Sequence, residues 1–119
     1  MSTETPLESK SNQAMILMTT CGDAPEAERI AQTLVEERLV VCVNILGTKE
    51  SSILSVYQWE GAIQKENEVL LVMKTLSKKL PRLETRIPEL HSYRVPEIVA
   101  WPLHFVGQSY LQWILDSLA

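Results

Sequence analysis

The sequence predicts an α+β domain of the ferredoxin-like, split βαβ kind: an antiparallel sheet with both helices on one face, followed by a C-terminal helix. Three observations predict it. Apolar runs rich in Val, Ile and Leu alternate with two stretches of helical periodicity, in the order strand, helix, strand, strand, helix, strand. The segments on either side of Glu60-Gly61 are too close in sequence for a crossover, so they are antiparallel neighbours. The chain has 119 residues, 45% hydrophobic and 22% charged, which suits a single hydrophobic core.

Residues 1–13 are polar, contain Pro6, and are expected to form a disordered tail before one domain at 14–119. The run 14–20 is apolar and closes on Cys21-Gly22-Asp23, a buried strand. Asp23 then caps a helix, with Glu26 placed for a capping box and Pro25 in the first turn. Ala27, Ile30, Ala31, Leu34 and Val35 share one face of it, and Glu28, Arg29, Gln32, Glu36 and Glu37 cover the other. Residues 39–46 read as a second buried strand. Gly47 to Ser52 is a turn-rich stretch and 53–59 read as a further strand; the split βαβ order follows if 39–46 and 53–59 are one long strand interrupted near Gly47. Glu68 opens a central strand at 69–73 that has no polar break. Leu80, Leu83, Ile87 and Leu90 define a helix over 78–90, which Pro88 is expected to kink or end near Ile87. After a loop at 91–96 comes a strand within 97–105, where Pro102 marks an edge or bulge. Ser109 is the expected cap of the last helix, with Tyr110, Leu111, Ile114, Leu115 and Leu118 near one face. Strands 39–46 and 69–73 are apolar on both faces, yet helices cover only one, so the other calls for an oligomer.

Composition excludes several functions. Lys and Arg number 11 against 15 Asp and Glu, a net charge of −4 that argues against a nucleic-acid partner. Two cysteines and two histidines exclude a four-cysteine zinc site or a three-histidine site within one chain. The first residues contain no apolar signal core, and no run is long enough to span a membrane. The expectation is a cytoplasmic protein with reduced thiols. No nucleophile–base pair, phosphate-cradling glycine loop or aromatic RNA platform is legible, so the protein is read as non-enzymatic, with no required cofactor.

The remaining chemistry gathers around His91. Tyr93, Pro96 and Glu97 follow it, and Tyr57, Trp59, Glu60 and Glu68 precede the second helix. Each residue also has a plain structural reading. His91 stands at a helix C-terminus, where an imidazolium is favoured. Glu68 suits a solvated strand start, Trp59 suits packing, and Cys42 suits a small buried apolar position. Imidazole and thiolate together suit copper and zinc.

At these residues the chain resembles the CutA divalent-cation-tolerance family. The resemblance rests on Cys42-Val43-Asn44-Ile45, on Ser55 to Gly61, on Glu68-Val69-Leu70-Leu71 with Lys74-Thr75, on His91 to Ile98, and on Tyr110-Leu111-Gln112-Trp113. It implies a ferredoxin-like subunit in a homotrimer shaped like the PII signalling proteins, with divalent cations, especially copper, as ligands. On that basis His91 is the nitrogen ligand, Glu68 its carboxylate partner, and Cys42 or Cys21 a weaker third ligand. The alternative is a PII-like signalling or scaffold trimer that takes a small anion or protein segment at inter-subunit clefts lined by Trp59, Lys74 and Tyr93. An enzyme using His91 as general base is a third reading, with no oriented partner visible. The chain departs from the family pattern at Ser92, where Pro is usual, and at Arg94, where Glu is usual. Thr19 stands near a position where some members carry Cys, and the stretch between Asn44 and Tyr57 is longer than usual.

Overall fold

The computed structural model describes residues 11–119, and the expected tail at 1–10 lies outside the described residues. Gln13, one residue before the expected start, is hydrogen-bonded into the fold. Its carbonyl accepts from Ser77 N, and its Nε2 donates to the carbonyls of Ala14 and Leu103. The elements are β1 (Ala14–Cys21), α1 (Ala24–Glu36), β2 (Cys42–Leu46), β3 (Ile53–Trp59), β4 (Ala62–Leu76), a 3-10 turn (Ser77–Lys79), α2 (Leu80–Leu90), β5 (Val99–Pro102) and α3 (Gln108–Leu118). Among the described residues no helix is long and apolar enough to cross a membrane.

Every strand pairing is antiparallel, and the order is β2-β4-β1-β5, with β3 also paired to β4. This is the expected split βαβ sheet. β2 and β3 act as the two halves of one interrupted strand: Leu46 pairs with Leu70 and Ile53 with Glu68, so residues 47–52 face the single residue Val69. Gly47 allows that excursion. Its φ of 115° lies in the left-handed region, and a Cβ there would sit 3.5 Å from Glu68 O and Val69 Cα. The loop closes on itself through Thr48 N–H to Ser51 O and Ser51 N–H to Thr48 Oγ1. At the β3–β4 hairpin, Glu60 and Gly61 both have positive φ, 51° and 81°, as a tight two-residue turn matched to strand twist requires.

The main core lies between the sheet and α1 and α2, built on Leu17, Ile30, Leu34, Leu71, Met73, Leu83 and Ile87. A fork of Arg86 Nε and Nη2 on the Glu37 carboxylate, at 2.7–3.2 Å, ties the two helices together at their surface. α3 makes a second, smaller cluster in which Ile114 and Leu118 meet Leu76.

Several boundaries differ from the sequence expectation. β2 starts at Cys42 rather than 39, because Arg38 turns left-handed (φ 56°) and the N–H groups of Leu39 and Val40 return to Leu34 O. Leu39 and Val40 are buried, so they look like strand residues, yet they cap α1. β4 starts seven residues before the expected 69, because pairing with β3 carries polar residues such as Gln64 and Lys65 into the strand. α2 passes Pro88 and ends at Leu90, since a proline in the last turn removes only one bond. β5 is confined to four residues, and Gly107, not Ser109, is the cap position of α3.

Leu34 is fully buried against the sheet. Leu34→Ala is expected to lower unfolding free energy by about 2–5 kcal/mol, read as a lower midpoint with unchanged slope in chemical denaturation.

Candidate functional site

Four elements converge at one end of the sheet: the end of β1, the start of α1, the loop after α2, and the middle of β4. Asp23 Oδ1 accepts the N–H of Glu26 at 2.8 Å, the expected cap. The reciprocal half of a capping box is absent. The buried Glu26 carboxylate instead accepts Ser92 N–H at 2.7 Å and Ser92 Oγ–H at 3.0 Å, and so pins the loop that follows α2.

That loop sets the chemistry of His91, whose side chain is 0% exposed. Its Nε2 lies 2.7 Å from the carbonyl of Thr20, which can only accept, so Nε2 carries the proton. Nδ1 accepts Tyr93 N–H at 3.0 Å, so Nδ1 supplies a lone pair. These two bonds define the Nε2–H tautomer, and the Glu26 carboxylate stands 3.7 Å from Nδ1. The Tyr93 ring packs on the imidazole at 4.8 Å, and its hydroxyl donates to Glu68 Oε2 at 2.8 Å. Glu68 is 6% exposed, a buried acceptor rather than a solvated strand-start charge. Burial, and then the hydrogen bond to Glu68, hold the Tyr93 phenol well above its usual range. Burial, and then the Glu26 charge, push the Cys21 thiol up to about 11, and its Sγ donates to Asp23 O.

His91 and Glu68 are therefore joined, through Tyr93. Cys42 is not part of the group. It pairs with Lys74, six residues along β4 from Glu68, about 20 Å away within one chain at the usual strand rise. Trp59 pairs with Ala62 at the hairpin end, while Lys74 sits twelve residues further along β4 and donates to Asn44. Trp59 and Lys74 are thus about 40 Å apart along the strand, with Glu68, the partner of Tyr93, between them. Among the described residues no three His, Cys, Asp or Glu side chains converge closely enough to hold a metal ion. The residues that sequence reasoning missed are Ser92 and the loop-binding role of Glu26. Glu26 carries a sequence signal, but the local cap accounts for it. Its true partner lies 66 residues away, beyond the reach of any periodicity.

Sheet order, register and helix placement define a ferredoxin-like α+β protein. Residues 15–117 match the CutA1 divalent ion tolerance protein family, and the chain belongs to that family. It is 38% identical over 102 residues to the divalent-cation tolerance protein CutA of Thermus thermophilus, covering 86% of this chain and 95% of that one. It is also 38% identical over 95 residues to human protein CutA, covering 80% of this chain but 51% of the human one. Its backbone superposes on the crystal structure of CutA from Xylella fastidiosa with a TM-score of 0.83 at 34% identity, covering 90% of this chain and 99% of that one.

The raised phenol at Tyr93 has a definite consequence for stability. Its ordinary value is 10.0, and in the folded chain it keeps its proton where the unfolded chain loses it. Stability from this group is complete below about pH 10 and is lost as pH rises further towards the folded value. Cys21 acts with the same sign between 9.0 and about 11. Denaturant midpoints followed from about pH 8 to 11.5 should fall less steeply in Tyr93→Phe than in the parent, and identical slopes would contradict the assignment.

Proposed function

We propose that the protein is a non-enzymatic homotrimer that binds divalent cations, copper foremost, in cytoplasmic metal-ion tolerance. The observation that carries this reading is the buried junction of His91 and Glu68 through Tyr93, in a chain of the divalent ion tolerance family. Imidazole and carboxylate are suitable donors for such ions, and one chain supplies too few of them for a closed site. The site is completed at a subunit boundary, and Cys42 joins it only through a neighbouring copy.

The trimer is supported by exposed apolar side chains on the β3–β4 hairpin, such as Leu54 at 61% and Ile63 at 69%, and by Val99 and Trp101 on β5. Among the described residues β5 pairs only with β1, and β2 only with β4, so each retains an open edge. Two free cysteines support a reducing compartment. A non-enzymatic role is supported by His91, whose two ring nitrogens are both engaged and leave no lone pair for a general base. For the same reason metal binding at His91 costs one of those two hydrogen bonds and is weak. The signalling alternative needs Trp59, Lys74 and Tyr93 on one cleft, which again only subunit contacts could form.

Light scattering on a sizing column should return three times the 13.5 kDa chain mass. Calorimetric titration with copper should show Glu68→Gln and His91→Ala each weakening binding at least about tenfold, or ~1.4 kcal/mol. A monomer, or unchanged copper affinity in both variants, would overturn the proposal.

A further inference from the structure

A concave surface lies between the end of α1 and the last turns of α3, at the other end of α1 from the His91 cluster. It is an open groove of about 380 Å³. Val35 and Trp113, 42% and 46% exposed, supply the apolar wall, over a floor of the buried Val40 and Leu118. The Trp113 ring is braced by Tyr110 at 5.3 Å and 57°, so it is positioned in advance of any ligand.

Two charges of opposite sign line this cleft, Arg38 and Asp116. They do not pair: among the described residues no ion pair joins them, and Arg38 has no side-chain hydrogen bond. Asp116 accepts only Gln112 Nε2, at 2.8 Å, which leaves it acceptor capacity. The position of Arg38 adds to this. It is the left-handed residue that ends α1, with φ 56°, and its N–H bonds to Val35 O. Glycine is the usual occupant of that position because a Cβ is strained there. Arg38, exposed in the strained cap, and Asp116, also exposed, thus stand at the rim of one cleft without pairing, a choice that the stability of the turn does not explain.

We propose that this cleft binds a small zwitterion with an apolar side chain, of the class of the neutral α-amino acids. The carboxylate is taken by Arg38, the ammonium by Asp116, and the side chain by Trp113 and Val35. A simple anion would meet the Asp116 charge and a simple cation the Arg38 charge. Only a ligand carrying both signs is complementary to both walls.

Calorimetry on the full chain with L-leucine tests this, with 4-methylpentanoate and 3-methylbutylamine as probes that lack the ammonium and the carboxylate respectively. Leucine should bind, and each truncated probe should bind at least tenfold more weakly. Arg38→Gly should leave the melting temperature unchanged or raised, because it relieves the left-handed cap, while weakening leucine at least tenfold; Asp116→Asn should weaken it similarly. No binding of leucine at millimolar concentration, equal binding of either truncated probe, or unchanged leucine affinity in both variants would overturn the proposal. These outcomes are independent of copper binding at the His91 cluster.

Discussion

The fold depends on β4. Its fifteen residues are the shared partner of β1, β2 and β3, and without it none of the three would belong to one sheet. Between Val69 and Thr75 its side chains alternate between fully and partly buried, as a strand covered by helices on one face should. The alternation fails at two places, and each failure locates a feature. Thr75 and Leu76 are both fully buried because α3 lays Ile114 and Leu118 against Leu76. Glu68 and Val69 are both buried because the loop after α2 brings the Tyr93 hydroxyl onto Glu68. The second exception falls where β4 passes from β2 to β3, so the site and the change of register occupy the same point of the sheet.

Burying Glu26, Glu68 and His91 in one region is costly unless every polar atom finds a partner. Here the partners are largely backbone groups and hydroxyls. Ser92 serves Glu26, Tyr93 serves Glu68, and the Thr20 carbonyl and the Tyr93 amide serve the two imidazole nitrogens. The loop is thereby fixed to β1, α1 and β4 together. A metal at Nδ1 of His91 would have to displace the Tyr93 amide, which would couple cation binding to movement of residue 93.

Much of this was legible in the sequence. Asp23 with Pro25 announces the start of α1, Glu60-Gly61 announces the hairpin, and the Gly47–Ser52 composition announces the break between β2 and β3. These are local signals: one cap, two turn residues, one glycine able to take positive φ. What was not legible depends on distant partners. The first half of β4 is polar and becomes strand only because β3 lies beside it. Leu39 and Val40 are apolar enough for a strand, and the left-handed Arg38, which sends their N–H groups back to Leu34, has no signature. His91 and Glu68 were identified by residue type, but the tautomer of one and the burial of the other follow from Tyr93. Cys42 was identified by its thiolate chemistry, and its pairing with Lys74 carries it along β4 away from Glu68 within one chain.

The central claim is that the His91–Tyr93–Glu68 junction becomes a cation site when subunits associate. Diffraction from copper-soaked crystals of the full chain, collected on both sides of the copper absorption edge, tests this most directly. The account predicts an anomalous peak at a subunit boundary of a trimer, within coordination distance of Glu68 or His91. A trimer with no peak there at saturating copper, or a peak confined to remote donors such as His104, would contradict it.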